Sequence, residues 1–223
     1  MLFQSLLILH IIAGFVALLV GAMAIVSRKG SQNHLKSGKW YVISMFIVGF
    51  SAIAMTQLKS NPFLFTVGVF TLYLTYSGQR SIFYFRLKEA YRTGWKDRLP
   101  ILIALIVAMG MVGQPIYQML KSGVFSVNVM AVFGAILLGF GIRDLIMLIK
   151  NPSFQPNDKT WLIKHIGMVG GAYIATLTAF LVTNVTFSPG WVIWLAPTLI
   201  GSILIARASK AWRIKLKINA SAQ

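Results

Sequence analysis

LTYSGQRSIFYF, residues 74–85, closes an apolar run that begins at Pro62 and sets Arg80 six residues before the next basic residue, Arg86. If the run is a helix ending at Arg86, a rise of about 1.5 Å per residue puts Arg80 roughly 9 Å inside the apolar layer. Similar blocks recur along the chain, each near the twenty residues needed to cross hydrocarbon. They are too long and too evenly apolar for barrel strands, so they predict helices. The expected spans are about 5–27, 40–58, 62–85, 99–120, 125–149, 160–183 and 191–208. Pro62 and Pro100 suit a first helical turn, whereas Pro115 and Pro197 fall inside spans and predict kinks.

Composition agrees. Of 223 residues 57% are hydrophobic and 11% charged, with 21 Lys and Arg against four Asp and Glu. A soluble domain carries about 25% charged residues. In a soluble protein the net charge of +17 would suggest nucleic acid. Here nineteen of the 21 basic residues fall on one side when the gaps between spans are numbered alternately, and only Lys59 and Lys121 fall on the other. The charge is therefore topological, and no nucleic-acid partner is expected. The positive-inside rule puts the N-terminus outside and the C-terminus in the cytoplasm. Trp40, Trp161 and Trp212 then mark the inner interface, Trp191 and Trp194 the outer one.

The expected fold is an all-α integral membrane protein: one seven-helix transmembrane domain over 1–208, then a basic interfacial tail over 209–223. That tail could lie on anionic lipid with Trp212, Ile214 and Ile218 inserted. MLFQSLLILHII has no basic leader and no small-residue cleavage site, and it reads as a retained first helix. No loop is long enough for a soluble catalytic domain, so any chemistry lies among the helices. The chain has no cysteine, which excludes disulfides, thiolate metal sites and a cysteine nucleophile. No lysine lies between Trp191 and Arg207, where a retinal-binding protein would need one, and no phosphate loop of the GxxxxGK type is present.

Measured from Lys150 and Lys159, the residues Arg143, Asp144 and His165 share the depth of Arg80. Tyr73, Ser77, Arg80 and Tyr84 recur at spacings of four, three and four and make one polar stripe on the third helix. A carboxylate in a span costs roughly 2.5–3.5 kcal/mol, so Asp144 needs a partner. Arg143 diverges from it by about 100° around the helix, which leaves Arg80 and His165. With Gln79 and several tyrosines, these residues offer more donors than one acid uses. The expected ligand-binding set is therefore Arg80, Arg143, Asp144, His165, Tyr73 and Tyr84, suited to a small anion or a lipid headgroup. The competing readings are snorkelling arginines and a purely structural clamp. Gly167, Gly171, Ala175 and Ala179, four apart on the sixth helix, read as a packing stripe.

Three histidines supply the alternative. His34 with His165 could hold a b-type haem, His10 would have to recruit something like Met55, and His34, His165 and Asp144 could hold zinc for a hydrolase. Against haem, GIRDL at 141–145 carries an aspartate where an axial histidine might stand.

HIIAGFVALLVGAMAI at 10–25, HLKSGKWY at 34–41, KHIGMVGGAYIATLTAFLV at 164–182 and WLAPTLIG at 194–201 resemble a group of bacterial inner-membrane proteins of unknown function. YIATLTAF at 173–180 is the most specific part of the likeness. The resemblance implies a multi-pass protein of the bacterial inner, cytoplasmic, membrane, with His10, His34 and His165 at the pattern's histidine positions. It implies no reaction.

Overall fold

The structure is a computed structural model whose described residues are 1–123 and 128–217. Seven helices follow one another: α1 (Leu2–Val26), α2 (Gln32–Leu58), α3 (Pro62–Phe85), α4 (Trp95–Ser122), α5 (Val129–Lys150), α6 (Thr160–Asn184) and α7 (Trp191–Leu216). Two short strands, β1 (Tyr91–Arg92) and β2 (Ser153–Phe154), pair antiparallel and join the α3–α4 connection to the α5–α6 connection. The protein is an all-helical multi-pass membrane protein.

Polar side chains set where the helices begin. Ser31 accepts from the His34 N–H, Asn61 from Leu64 and Asn128 from Met130, and Pro62 follows Asn61 with the φ that a first turn needs. Gly123, at φ +69°, ends α4 in the left-handed conformation. Three boundaries differ from expectation. The cap at Ser31 starts α2 eight residues before the expected 40, because amphipathic residues there continue the helix beyond its apolar part. Helix α4 starts at Trp95, which moves Pro100 from the first turn to the interior. Helix α7 runs to Leu216 and absorbs most of the expected tail. The expected start of the fifth span at 125 and the proposed insertion of Ile218 lie outside the described residues.

Among the described residues six helices are long and apolar enough to cross a membrane, and α3 is not one of them. It is the centre of the bundle. Twelve of its 24 residues are buried, and it packs on α2, α4, α5 and α6. A helix walled by other helices needs no apolar surface of its own, so α3 carries threonines, serines, tyrosines and Arg80 where lipid-facing helices carry isoleucine and leucine. At the periphery α7 has no buried residue and packs on α6, with Leu199 and Ile200 exposed. Such a face would aggregate in water and is at home against lipid tails.

Lipid gives helices no hydrophobic reason to associate, so close packing has to supply it. Gly78 of α3 lets α6 approach until an added Cβ would lie 2.5 Å from Val169 Cγ2 and 3.2 Å from the Val169 backbone nitrogen. Gly170 does the same for Ile205 of α7. In the expected small-residue stripe, Gly171 meets Leu74 and Ala175 is buried, whereas Gly167 faces open space. Trp161, expected at the membrane interface, is 3% exposed: its ring packs on Tyr84 and Phe154 with centroids 4.6 Å from each. Gly78→Ala is expected to destabilise the fold by about 1–3 kcal/mol through overpacking. Val169→Ala should restore part of that loss, as read from paired unfolding curves in detergent.

Candidate functional site

The four consecutive helices α3 to α6 bring two ion pairs to one end of the bundle, the end that also holds most of the basic residues. Asp97, in the first turn of α4, accepts from Arg80 Nε at 2.7 Å and from the Gly94 N–H at 2.8 Å. Tyr91 donates to Oδ2, the oxygen that Gly94 also binds, at 3.1 Å, and Tyr84 donates to Oδ1 beside Arg80. Asp144, on α5, accepts from Lys164 Nζ at 2.7 Å, from Tyr73 at 2.7 Å and from Ser77 at 2.9 Å. Both carboxylates are 3% exposed, and each meets a cation and at least two further donors, as a buried charge requires.

The expected partnership of Asp144 with Arg80 or His165 is not the one made. Its cation is Lys164, one position before His165, and Arg80 belongs to Asp97. Helical phase explains both. Lys164 and His165 diverge by about 100°, so only one can face α5. His165 faces α3 and donates from Nδ1 to the Gly78 carbonyl at 2.9 Å. Arg143 is exposed and lies outside the cluster, as a snorkelling arginine would, and Gln79 is exposed too.

Around Arg80 the chain has built an aromatic wall. The guanidinium carbon stands 4.1 Å from the ring centre of Phe83, 5.1 Å from Tyr84 and 5.3 Å from Tyr91. Arg80 Nη2 also donates to the Tyr91 hydroxyl at 2.6 Å. Burial, and after it Asp97, raises the Tyr91 phenol above its ordinary pKa, which keeps it a donor. Tyr91 is held from β1, whose partner strand brings Phe154 under Tyr84. The β-ribbon thus closes this end of the bundle beneath the ion pairs.

Pro100 contributes through what it lacks. With no N–H, it leaves the Lys96 carbonyl without its helical donor, and Tyr76 of α3 supplies one at 2.5 Å. Together Tyr73, Ser77, Arg80, Asp97, Asp144 and Lys164 line a partly open chamber of about 20 Å³. A water needs roughly 10–15 Å³ of such space. Four of the expected residues, Tyr73, Arg80, Tyr84 and Asp144, line this chamber, whereas Arg143 and His165 do not. Sequence reasoning missed Asp97 and Lys164. Asp97 carried a signal, an acid three residues after Gly94 at a helix start. Lys164 lay inside the expected sixth span but had been counted with its flanking charges.

The histidines each tie one helix to a backbone carbonyl. His10 Nδ1 lies 3.1 Å from Val48 O and 3.0 Å from Ser51 Oγ, joining α1 to α2. His34 donates to the Ala24 carbonyl at 2.9 Å, where Lys29 Nζ also donates, so the two cap the end of α1. Among the described residues no three His, Cys, Asp or Glu side chains come together as metal ligands would. The zinc set of His34, His165 and Asp144 is therefore not assembled, because Asp144 is turned to Lys164. Neither the chamber nor the larger cavity at the opposite end is lined by a histidine.

Two double-mutant cycles test these couplings. Asp144→Asn and Lys164→Gln should each cost about 3–5 kcal/mol by stranding a buried partner, and the double variant should recover most of that. Tyr76→Phe should cost about 1 kcal/mol, and Pro100→Ala, which restores the N–H, should make the same change nearly neutral. Thermal unfolding in one detergent reads both cycles.

No curated protein and no solved structure matches the chain. The segments of the sixth and seventh helices that carried the sequence resemblance lie outside the matched stretch, which ends at residue 90. Residues 7–90, spanning most of α1 and all of α2 and α3, match the family described as "Predicted membrane protein (DUF2306)", a membrane family of unknown function.

Proposed function

We propose that the protein is a proton-coupled membrane carrier in which the basic end of the bundle faces the cytoplasm of a bacterial inner membrane and Asp144 with Lys164 is the pair through which the proton passes. The observation that carries this reading is the chamber of about 20 Å³ between two acid–base pairs from four helices. The two pairs differ in kind. A guanidinium does not give up its proton in a protein, so Arg80 with Asp97 stays charged. A buried ammonium does, so Asp144 and Lys164 exist either as an ion pair or, after one proton passes from Nζ to Oδ1, as a neutral acid and amine. A proton arriving from water onto Asp144 leaves Lys164 without its counter-charge, and that favours separation of α5 from α6. Intramembrane carboxylates paired in this way serve as proton relays in pumps and transporters.

The geometry favours a proton or a water over the small anion or lipid headgroup that the surplus of donors suggests from sequence. Both lining cations already hold a carboxylate, and the space admits a water and not a headgroup. Anionic lipid remains a fitting neighbour for the basic ends of the helices.

In vesicles that enclose a pH-sensitive dye, an imposed membrane potential should drive protons through the parent protein. Asp144→Asn/Lys164→Gln, which removes the proton site without stranding a charge, should fall to the rate of protein-free vesicles. Equal rates in parent and double variant would refute the reading.

A further inference from the structure

At the end of the bundle away from the ion pairs, the closing turns of α2 and α4 and the opening turns of α3 and α5 surround an open vestibule of about 450 Å³. The described residues that line it are uncharged. Gln57 and Asn61 come from one side, Gln114 and Gln118 from α4, and Asn128 from the start of α5, with Phe65 offering an aromatic face. We propose that this vestibule is a binding site for a small neutral solute rich in hydroxyl groups, of one- or two-sugar size.

Volume, charge and hydrogen-bonding capacity agree on that class. Small-molecule sites run from about 300 to 1,000 Å³. Of the 21 basic residues only Lys59 and Lys121 lie at this end of the bundle, so a solute there meets little charge of either sign. The basic residues at this end, Lys59 and Lys121, do not line it, and Lys59 Nζ sits 4.7 Å over the Phe3 ring. An ion entering there meets no counter-charge. Amides serve hydroxyls well, because each side chain both donates and accepts. Asn61 and Asn128 use their oxygens to cap α3 and α5, which fixes each amide and leaves its NH₂ as a donor. Gln57, Gln114 and Gln118 bond no protein partner among the described residues.

The vestibule also stands over the chamber. From Phe65 to Tyr73 along α3 is roughly 12 Å. One turn inward, Phe70 meets Phe133 edge-on at 4.9 Å, and Met111 and Leu137 are buried in the same cluster. The solute site is thus open at one end and stopped by an apolar plug above the pair of Asp144 and Lys164. Naming its solute class deepens the carrier reading and rests on it only in treating the vestibule as an entrance.

Because the chain has no cysteine, Gln114→Cys creates a single thiol in the vestibule, and Lys59→Cys a single thiol at the same end outside it. Glucose, maltose and mannitol are tested as protectants against a membrane-impermeant charged maleimide. A solute that binds should slow labelling of Gln114→Cys on the order of tenfold at ten times its dissociation constant. It should leave Lys59→Cys at its own rate. Adding Gln57→Ala and Gln118→Ala, both at exposed positions, should remove the protection. No protection by any of the three, equal slowing of both thiols, or equal protection by the anion glucuronate would overturn the proposal. Protection that persists in Asp144→Asn/Lys164→Gln keeps this site separate from the proton reading, so either can fail alone.

Discussion

A charge buried among hydrocarbon chains has to be neutralised by a neighbour, and the basic end of this bundle is arranged around that requirement. Each of these two buried carboxylates takes its cation from a different helix: Asp97 of α4 from α3, and Asp144 of α5 from α6. Tyr73 and Ser77 then bind Asp144 to α3. Four helices are thereby fixed to one another at one depth, with no net charge in the chamber between them. The central helix can be polar because its polar groups face this cluster and other helices instead of lipid. Its neighbours carry the apolar surface that a spanning helix would otherwise need, which is why α3 alone falls short in apolarity.

The two ends of the bundle are held by different means. At the basic end, Tyr84, Phe154 and Trp161 form a packed aromatic group beneath the Arg80 pair, and β1 with β2 ties the connecting segments together. Opening that end means separating two ion pairs and unstacking aromatic rings, all of which are strengthened by low dielectric. At the far end the amides make few contacts with one another, and the concavity is wide. The bundle is thus closely packed around a small chamber at one end and holds a wider, open concavity at the other.

Much of this was legible in the sequence. Block lengths located all seven helices, six of which carry the apolar window that a membrane crossing demands. The stripe Tyr73, Ser77, Arg80 and Tyr84 was legible because helical phase is fixed within one helix. Partners between helices were not. Whether Asp144 meets Lys164 or His165 turns on about 100° of rotation of α6, and that rotation is set by Gly78 letting α6 approach α3, a contact between residues far apart in the chain. Asp97 was hidden for another reason. Loops and helix starts are equally rich in charge, and the apolar signal began only at Leu99, four residues after the helix does.

Stability by itself does not account for the pair of Asp144 and Lys164. Apolar residues of similar volume at two such positions commonly leave a protein as stable or more so, because they avoid the desolvation of two ions. Arg80 with Asp97 has a structural task that apolar residues would not perform: Asp97 also holds the Gly94 N–H and so sets where α4 begins. Asp144 and Lys164 sit in the interiors of continuous helices and cap neither, so leucines in their place would lose no cap but would strand the Tyr73 and Ser77 hydroxyls. Removing the pair would instead take away an exchangeable proton and the coupling of α5 to α6 through charge. On the proton reading proposed above, the pair of Asp144 and Lys164 is suited to a change of protonation state, whereas the pair of Arg80 and Asp97 has its task in starting α4.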